Sequence, residues 1–125
     1  MTLLLDTHAL LWWLGDDRTL SKPARKAIAD PMAVVYVSAV TAWEISIKKA
    51  LGKLSAPDDL EDQLKVGGLS ELPVTVADAM LAGALPRHHD DPFDRMLVAQ
   101  ARHHALTVVT RDPSFPRYGV SVLVA

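Results

Sequence analysis

Apolar residues in this chain fall into short runs and into longer stretches with helical spacing. Residues 3–5 are three leucines, and residues 34–37 are β-branched or aromatic, as is typical of buried strands. Residues 107–110 have the same β-branched character, and so do residues 120–124 at the end of the chain. These four segments are predicted to be strands, with a further brief extended piece at 72–75.

Helical spacing and capping residues predict helices between these strands. Ser21 with Pro23 begins one helix and Asp91 with Pro92 begins another, because both pairs suit a helix start. Gly67-Gly68 and Pro86 each end a helix. The predicted helices are residues 7–14, 21–29, Ser38 or Thr41 to about Gly52, 57–66, 76–85 and 92–105.

Strands that alternate with helices are typical of a parallel sheet covered on both faces. We therefore predict an α/β fold, a three-layer α/β/α sandwich with a mostly parallel central sheet. The 125 residues, half of them hydrophobic, are enough for one core, so residues 1–125 are expected to form a single domain.

The composition limits the possible classes of protein. There is no cysteine, which excludes disulfides and thiolate-bound zinc. The net charge of −2 argues against a general nucleic-acid coat, which would carry excess Lys and Arg, but it leaves room for a nuclease that reaches phosphate through cations. No apolar run is long enough for a signal peptide or a membrane span, so we expect a cytoplasmic protein without a membrane partner.

Four acidic residues occupy equivalent places beside the predicted strands. Asp6 ends the first strand, Glu44 lies early in the helix after the second, Asp94 is in the first turn of the helix opened by Pro92, and Asp112 follows the strand ending at Thr110. Ligands of open parallel sheets bind beyond the carboxyl ends of the strands. The four carboxyl groups are therefore expected to converge on one site.

Each of these acids also has a purely structural interpretation. Glu44 and Asp94 each stand three residues after a possible cap, so they can complete helix N-termini. Asp112 precedes Pro113, an ordinary turn pattern. Asp6 is harder to explain structurally, because an unpaired charge at a buried strand end is unfavourable.

Carboxylates gathered in this way repel one another. Even at an effective dielectric near 20, two unit charges at about 4 Å interact by roughly 4 kcal/mol. No Lys or Arg occupies the equivalent position after the first strand. An oxygen-preferring divalent cation, Mg²⁺ or Mn²⁺, would neutralise the cluster, and it would also polarise a phosphoryl oxygen and activate a water for phosphodiester hydrolysis.

The motifs around these acids match a known family. They are Leu4-Leu5-Asp6-Thr7-His8, Ser38 to Glu44-Ile45, His89-Asp90-Asp91-Pro92-Phe93-Asp94-Arg95 with Leu97, Ala99, Gln100 and Ala101, and Val108-Val109-Thr110-Arg111-Asp112 with Phe115. In this order and spacing the chain resembles the PIN-domain ribonucleases, above all the VapC-like toxins of type II toxin–antitoxin pairs. The resemblance covers nearly the whole chain, and residues 89–101 are its most specific part.

The resemblance implies a role for each acid and a set of partners. Asp6, Glu44, Asp94 and Asp112 would be the catalytic residues and would hold one or two Mg²⁺ or Mn²⁺ ions, with Asp6 and Asp94 the firmest ligands. The implied activity is that of a metal-dependent endoribonuclease, with water attacking an RNA phosphodiester. A homodimer is also implied, together with inhibition by a cognate antitoxin protein.

Three tryptophans lie on predicted helices beside the acids. A helix that is apolar on all sides must be buried or covered by a partner. We expect Trp43 to pack in the core. Trp12 and Trp13 are adjacent and cannot both point inward, so contact with an antitoxin or a second subunit is the alternative to core packing for this pair.

Basic residues near the acids are candidates for contacts with RNA phosphates. These candidate substrate-binding residues are Arg87, His89, Arg95 and Arg111. Arg95 can instead pair with a carboxylate at a helix start, and His89 can order the loop before Pro92. A zinc site built from His88, His89 and Asp91 is a weaker alternative, because adjacent side chains converge poorly on one ion.

Two other functions compete with a nuclease. In a phosphatase Asp6 would be the nucleophile, but the haloacid-dehalogenase pattern requires a second acid two residues later, where this chain has His8. A non-catalytic module that binds nucleic acid or a partner would keep the acids only as caps. Gly52-Lys53 lacks the glycine-rich loop of a Walker motif, and no dinucleotide-binding glycine pattern follows a strand.

Overall fold

The computed structural model describes all 125 residues and contains five strands and six α-helices. Their order is β1 (Thr2–Leu5), α1 (Thr7–Leu14), α2 (Lys22–Ala29), β2 (Val34–Ser38), α3 (Ala39–Ala50), α4 (Leu60–Val66), β3 (Ser70–Leu72), α5 (Val76–Ala84), α6 (Pro92–His104), β4 (Thr107–Thr110) and β5 (Val122–Val124), with a 3₁₀ helix (Phe115–Tyr118) between the last two. The predicted elements are all present, and no helix is long and apolar enough to cross a membrane.

The five strands form one sheet in the order β3-β2-β1-β4-β5, and every neighbouring pair is parallel. The sheet is thus entirely parallel, where the sequence predicted a mostly parallel one. β1 and β4 are adjacent at the centre, with Leu5 opposite Val109. Because parallel strands end at the same edge, Asp6 is brought beside the segment that follows Thr110.

Both faces of the sheet are buried, because successive strand residues point to opposite sides. Leu3 and Leu5 belong to an apolar cluster that includes α1, α2 and α4, whereas Leu4 belongs to a second cluster with α5 and α6. The predicted three-layer α/β/α architecture is confirmed.

The largest boundary differences from the sequence prediction are at α4 and β3, and β5 begins at Val122 instead of residue 120. Helix α4 begins at Leu60, not at residue 57, and its N-cap Asp59 makes no side-chain capping bond. The preceding Asp58 is held outside the helix by an ion pair with Lys49. Strand β3 ends at Leu72 because Pro73 has no N–H to donate to the ladder, so the extended piece lies slightly earlier than 72–75.

The tryptophans do not behave as expected. Trp43 is 61% exposed, so the prediction that it packs in the core is wrong. The buried side of α3 carries Glu44 and Ile45 instead. The Trp43 ring lies edge-on to Phe93, with 5.5 Å between the ring centroids. Trp12 and Trp13 are both half-buried against one apolar cluster, so neither is fully inside.

The exposure of Trp43 leads to a first prediction. Truncating a buried tryptophan to alanine lowers the free energy of unfolding by about 3–5 kcal/mol. We expect Trp43→Ala to lower it by less than about 1 kcal/mol, because most of the ring is already in water. Urea unfolding of the wild type and the variant at equal protein concentration measures the difference, and a loss of about 3–5 kcal/mol in the free energy of unfolding would contradict the placement of this ring on the surface.

Candidate active site

A cavity of about 170 Å³ lies where β1 and β4 end, between the starts of α1 and α6 and the side of α3 that carries Glu44 and Lys48. All four predicted acids line it. Its complete lining is Asp6, Thr7, His8, Trp12, Glu44, Lys48, Asp91, Asp94, Arg111 and Asp112. The structure therefore brings together four carboxyl groups from distant parts of the chain, as the strand-end argument predicted.

Asp6 is buried at the junction of β1 and α1. One of its carboxylate oxygens accepts the backbone N–H of Ala9 at 2.9 Å, so Asp6 is the N-cap of α1. Burial raises the pKa of Asp6 above its ordinary value, although hydrogen bonds from Thr110 and Ala9 oppose the shift. Capping engages one oxygen, Oδ1, and the Asp6 side chain still lines the cavity.

Glu44 is also buried, and two side chains hold its carboxylate. The hydroxyl of Thr7 donates to Oε1, and the Lys48 Nζ contacts Oε2 at 2.5 Å. The hydrogen bond to Glu44 raises the pKa of Lys48, so this lysine is charged. Lys48 therefore supplies part of the neutralising charge that the sequence reasoning assigned to a metal ion alone.

Asp94 and Asp112 meet across the ring of His89. The Nε2 atom of His89 lies 2.7 Å from Oδ2 of Asp112 and 2.9 Å from Oδ2 of Asp94. The backbone N–H of Asp91 donates to Nδ1 of the same ring at 3.1 Å. Because Nδ1 accepts, the neutral ring carries its hydrogen on Nε2, which then donates to the two carboxylates.

This hydrogen-bond pattern decides how His89 can act. Ligand atoms of His89, Asp94 and Asp112 lie within 4.8 Å of one another, a spacing that could hold a metal ion. To ligate through Nε2, His89 would have to move its hydrogen to Nδ1, where the N–H of Asp91 already points. His89 is therefore better placed to orient the carboxylates than to bind a metal.

The environments of Asp94 and Asp112 move their pKa values in opposite directions. Burial, together with the charges of Asp91, Asp6 and Glu44, raises the pKa of Asp94 to about 7. Burial also acts to raise the pKa of Asp112, but hydrogen bonds from Ser114 and His89 outweigh it, and the pKa is lowered. Of these two acids, Asp94 is thus the one whose ionised form is destabilised by the neighbouring negative charges.

The structural interpretations account for the acids only in part. Glu44 caps nothing, and Asp94 is itself capped, because Asp91 accepts the N–H groups of Phe93 and Asp94. Asp112 does form the expected turn, since its Oδ1 accepts from Ser114, while Oδ2 still faces His89. Capping and turn formation therefore leave at least one oxygen of each acid facing the cavity or its polar partners.

Known proteins match both the sequence and the fold. The family model described as PIN domain matches residues 3–120 of the chain. The chain belongs to the PIN domain family. The resemblance drawn from the motifs is confirmed.

Several relatives of this PIN domain are similar over nearly their whole length. Ribonuclease VapC22 of Mycobacterium tuberculosis is 35% identical over 118 residues, which cover 89% of this chain and 87% of that protein. The VapBC2 structure from Rickettsia felis, bound to a promoter DNA fragment, has a TM-score of 0.71 at 14% identity and covers 98% of both chains. DNA-bound VapBC from Salmonella typhimurium has a TM-score of 0.67 at 19% identity, covering 98% and 97%. The two structures agree with the fold described above.

Two of the predicted phosphate-binding residues of this PIN domain lie near the acidic cavity. Arg111 lines the acidic cavity, stacks on Trp12 at 4.6 Å and donates to the carbonyl oxygens of Thr19 and Ala125. Arg87 is exposed in an open depression that reaches Asp112. Both cations are therefore near the acidic residues, as phosphate contacts would require.

Arg95 is placed differently from the other predicted phosphate contacts. Its guanidinium donates to the backbone carbonyl oxygens of Pro86 and His89 and to three at the end of α5, those of Ala82, Gly83 and Leu85. These bonds occupy the guanidinium group that a phosphate contact would need. The structure therefore gives no support to Arg95 as a substrate-binding residue and assigns it to holding the chain before α6.

The zinc alternative has no geometric support either. The ring of His88 packs edge-on against Tyr118, 4.9 Å between centroids, while His89 faces the acids. Asp91 is occupied as the cap of α6. The three side chains thus do not converge on one ion.

Sequence reasoning missed Lys48 as a member of the site. Lys48 follows Glu44 by one helical turn, a spacing at which a lysine commonly pairs with a glutamate. That spacing was visible in the sequence. The contact between Thr7 and Glu44 was not, because it joins residues 37 positions apart on different elements.

Proposed function

We propose that this PIN domain is an endoribonuclease that depends on a divalent cation, and that it is the toxin of a type II toxin–antitoxin pair. The observation that carries the proposal is the convergence of Asp6, Glu44, Asp94 and Asp112 on one cavity. The similarity to a relative named as a ribonuclease supports it. RNA is the proposed substrate for the same reason.

The residues present fit Mg²⁺ or Mn²⁺. The donors that face the cavity are carboxylate oxygens, which hard divalent cations prefer. Lys48 is the one ammonium group in contact with the four acids, so the cluster keeps negative charge for a cation to neutralise. We propose Asp6 and Asp94 as direct ligands, with Glu44 and Asp112 completing the site directly or through water.

A cation held there would polarise a phosphodiester oxygen and activate a water for attack. The chain's own residues would place the RNA. Arg111 uses Nε and Nη2 for bonds to backbone carbonyls, which leaves Nη1 to donate to a phosphate oxygen. Arg87 would attract the strand from the outer depression, and His89 would keep Asp94 and Asp112 in place for the cation.

We also propose two protein partners. Solved structures similar in fold include toxin–antitoxin complexes, one of them from Klebsiella pneumoniae. A cognate antitoxin that covers the acidic cavity would inhibit the enzyme, and half-buried Trp12 at the rim is available to it. Half-buried Trp13 is a candidate for contact with the antitoxin or a second subunit, and the family resemblance implies a homodimer.

A cleavage assay tests the proposed activity. The purified protein, free of antitoxin, is incubated with mixed RNA in Mg²⁺, Mn²⁺ or EDTA, alongside Asp6→Asn. We expect cleavage with either metal, none in EDTA, and a loss of at least ~100-fold in the variant, because removing even a group that orients a ligand reduces activity about 10–100-fold. The matched control is Asp62→Asn, which changes an exposed acid on α4.

Three outcomes would contradict the proposal. Cleavage that survives EDTA would exclude a metal-dependent mechanism. Release of phosphate from small phosphomonoesters without RNA cleavage would favour the Asp6 phosphatase. Tight RNA binding with no cleavage under any condition would favour the non-catalytic module.

A further inference from the structure

The hydroxyl of Tyr118 ties the loop of residues 86–91 to the 3₁₀ helix. It donates to the carbonyl oxygen of Pro86 at 2.7 Å and accepts the N–H groups of His88 at 3.1 Å and His89 at 2.9 Å. Tyr118 is buried, so these three bonds are made away from bulk water. The hydroxyl does not line the acidic cavity, and nothing in the proposed reaction uses it directly.

Tyr118 and Asp112 belong to the same segment after β4, and this segment makes polar contacts with the 86–91 loop at two places, in addition to the ring contacts of His88 with Tyr118 and of His89 with Phe115. At one, the His89 ring contacts Asp112, whose other oxygen is held by Ser114. At the other, the Tyr118 hydroxyl holds the backbone of His88 and His89. The second contact, together with the edge-on packing of the His89 ring against Phe115, restrains the backbone that carries this ring toward Asp112.

The remaining polar atoms of His89 are also engaged. Its carbonyl oxygen accepts from Arg95 Nη1 at 3.3 Å, and its Nδ1 accepts from the N–H of Asp91. With the N–H bound to Tyr118, the backbone of His89 is held on both sides. Only Nε2 is left to face Asp94 and Asp112, so the ring has one orientation in which every polar atom is satisfied.

We propose that Tyr118 is a positioning residue: its hydroxyl holds the 86–91 loop so that the Nε2–H of His89 bridges Asp94 and Asp112 and pre-orients them for a divalent cation. The inference rests on the proposed function insofar as it concerns the cation. The control of His89 by Tyr118 concerns the metal-free protein and does not depend on the proposed function.

Two measurements on Tyr118→Phe test this. In the metal-free protein, ¹⁵N NMR of the imidazole reports whether His89 carries its hydrogen on Nε2, and we expect the wild type to show this tautomer and the variant to lose it. Thermal unfolding at increasing Mn²⁺ reports metal affinity, and we expect the half-saturating concentration to rise about 10-fold, as for other groups that orient a metal ligand. The matched control is Tyr36→Phe, the same change at the only other tyrosine, on β2.

A double-mutant cycle separates positioning from general stability. We expect His89→Ala to raise the half-saturating Mn²⁺ concentration by a similar factor. The double variant should have a half-saturating concentration no higher than that of the weaker-binding single variant, because the two residues act through the same contact. His89→Gln keeps an N–H donor and is expected to recover part of the affinity. Tyr36→Phe is expected to bind Mn²⁺ as the wild type does.

Other outcomes would overturn the proposal. Unchanged His89 signals in Tyr118→Phe would show that the hydroxyl does not place the ring. A lower melting temperature with an unchanged Mn²⁺ curve would reduce Tyr118 to a structural residue, and additive losses in the double variant would separate it from His89. If the wild type neither binds Mn²⁺ nor cleaves RNA, the proposed function fails, while the NMR comparison still decides whether Tyr118 controls His89.

Discussion

Replacing Asp94 with asparagine is expected to reduce metal-dependent RNA cleavage by at least ~100-fold while making the metal-free protein more stable. The two effects have one cause. Asp94 lies where burial and the charges of Asp91, Asp6 and Glu44 combine, which raises its pKa to about 7. Its carboxylate is thus unfavourable without a cation, and in the proposed metal site it is a direct ligand.

The measurement pairs initial cleavage rates in Mn²⁺ with thermal unfolding in EDTA, both above neutral pH. Asn keeps the shape of the side chain and the hydrogen-bonding capacity of one oxygen but removes the charge. Asp62→Asn is the control, because it removes an exposed charge far from the cavity. A variant that loses activity and is also less stable in EDTA would show that Asp94 is a structural residue, contrary to the proposed role.

The second large effect is a pH-dependent stabilisation by metal. In the metal-free protein the pKa of Asp94 is about 7, against an ordinary value of 3.8, so the folded state keeps a proton that the unfolded state has lost. Stability from this group is therefore fully present below about pH 4 and is lost as pH rises through about 7. Asp6, whose pKa is also raised by burial, acts in the same direction.

A divalent cation should reverse this loss, because it binds the ionised carboxylates. At a metal concentration of about 100 times Kd, binding stabilises the folded state by about 2.7 kcal/mol. For a domain of this size we expect the melting temperature to rise by roughly 10 °C at about pH 8, and much less at about pH 5, where Asp94 is protonated.

Thermal unfolding with Mn²⁺ and with EDTA across this pH range gives the comparison. Asp94→Asn should flatten the fall in metal-free stability and remove most of the metal effect. The lowered pKa of Asp112 acts at more acidic pH and should not contribute in this window. A metal-induced shift of equal size at both ends of the range would contradict the assignment of Asp94 as a ligand.

The fold was largely predictable because strands and helix ends are indicated by residues that are close together in the sequence. The leucines of β1 and the β-branched residues of β2 and β4 are buried on both faces, and such runs indicate a parallel sheet wherever they occur. Caps such as Ser21 and Asp91 lie at the predicted helix starts. The largest errors are at α4, which begins after the Asp58 that pairs with Lys49, and at β3, which ends before Pro73. Neither the ion pair nor the missing N–H of proline is visible in the periodicity of the chain.

The acidic site was predictable in outline for a related reason. Once the strands are parallel, Asp6 and Asp112 must lie at the same edge of the sheet, whatever their separation in sequence. Trp43 shows the limit of this reasoning. Its apolar character predicted burial, but the orientation of α3 is set by the burial of Glu44 and Ile45, and this leaves the tryptophan in solvent.

The arrangement of the carboxylate cluster is therefore determined partly by the sequence pattern and partly by the tertiary structure. The sequence by itself determined that four acids lie just after a strand or within the helix that follows one, at one edge of an α/β sheet, because strand and helix signals depend on near neighbours in the chain. Only the tertiary structure decided that Thr7 holds Glu44, that His89 bridges Asp94 and Asp112, and that Arg95 binds backbone instead of facing the cavity. Those contacts require donor and acceptor atoms from distant segments to lie about 3 Å apart. The amino-acid pattern does not specify the conformation of the connecting loops to that accuracy.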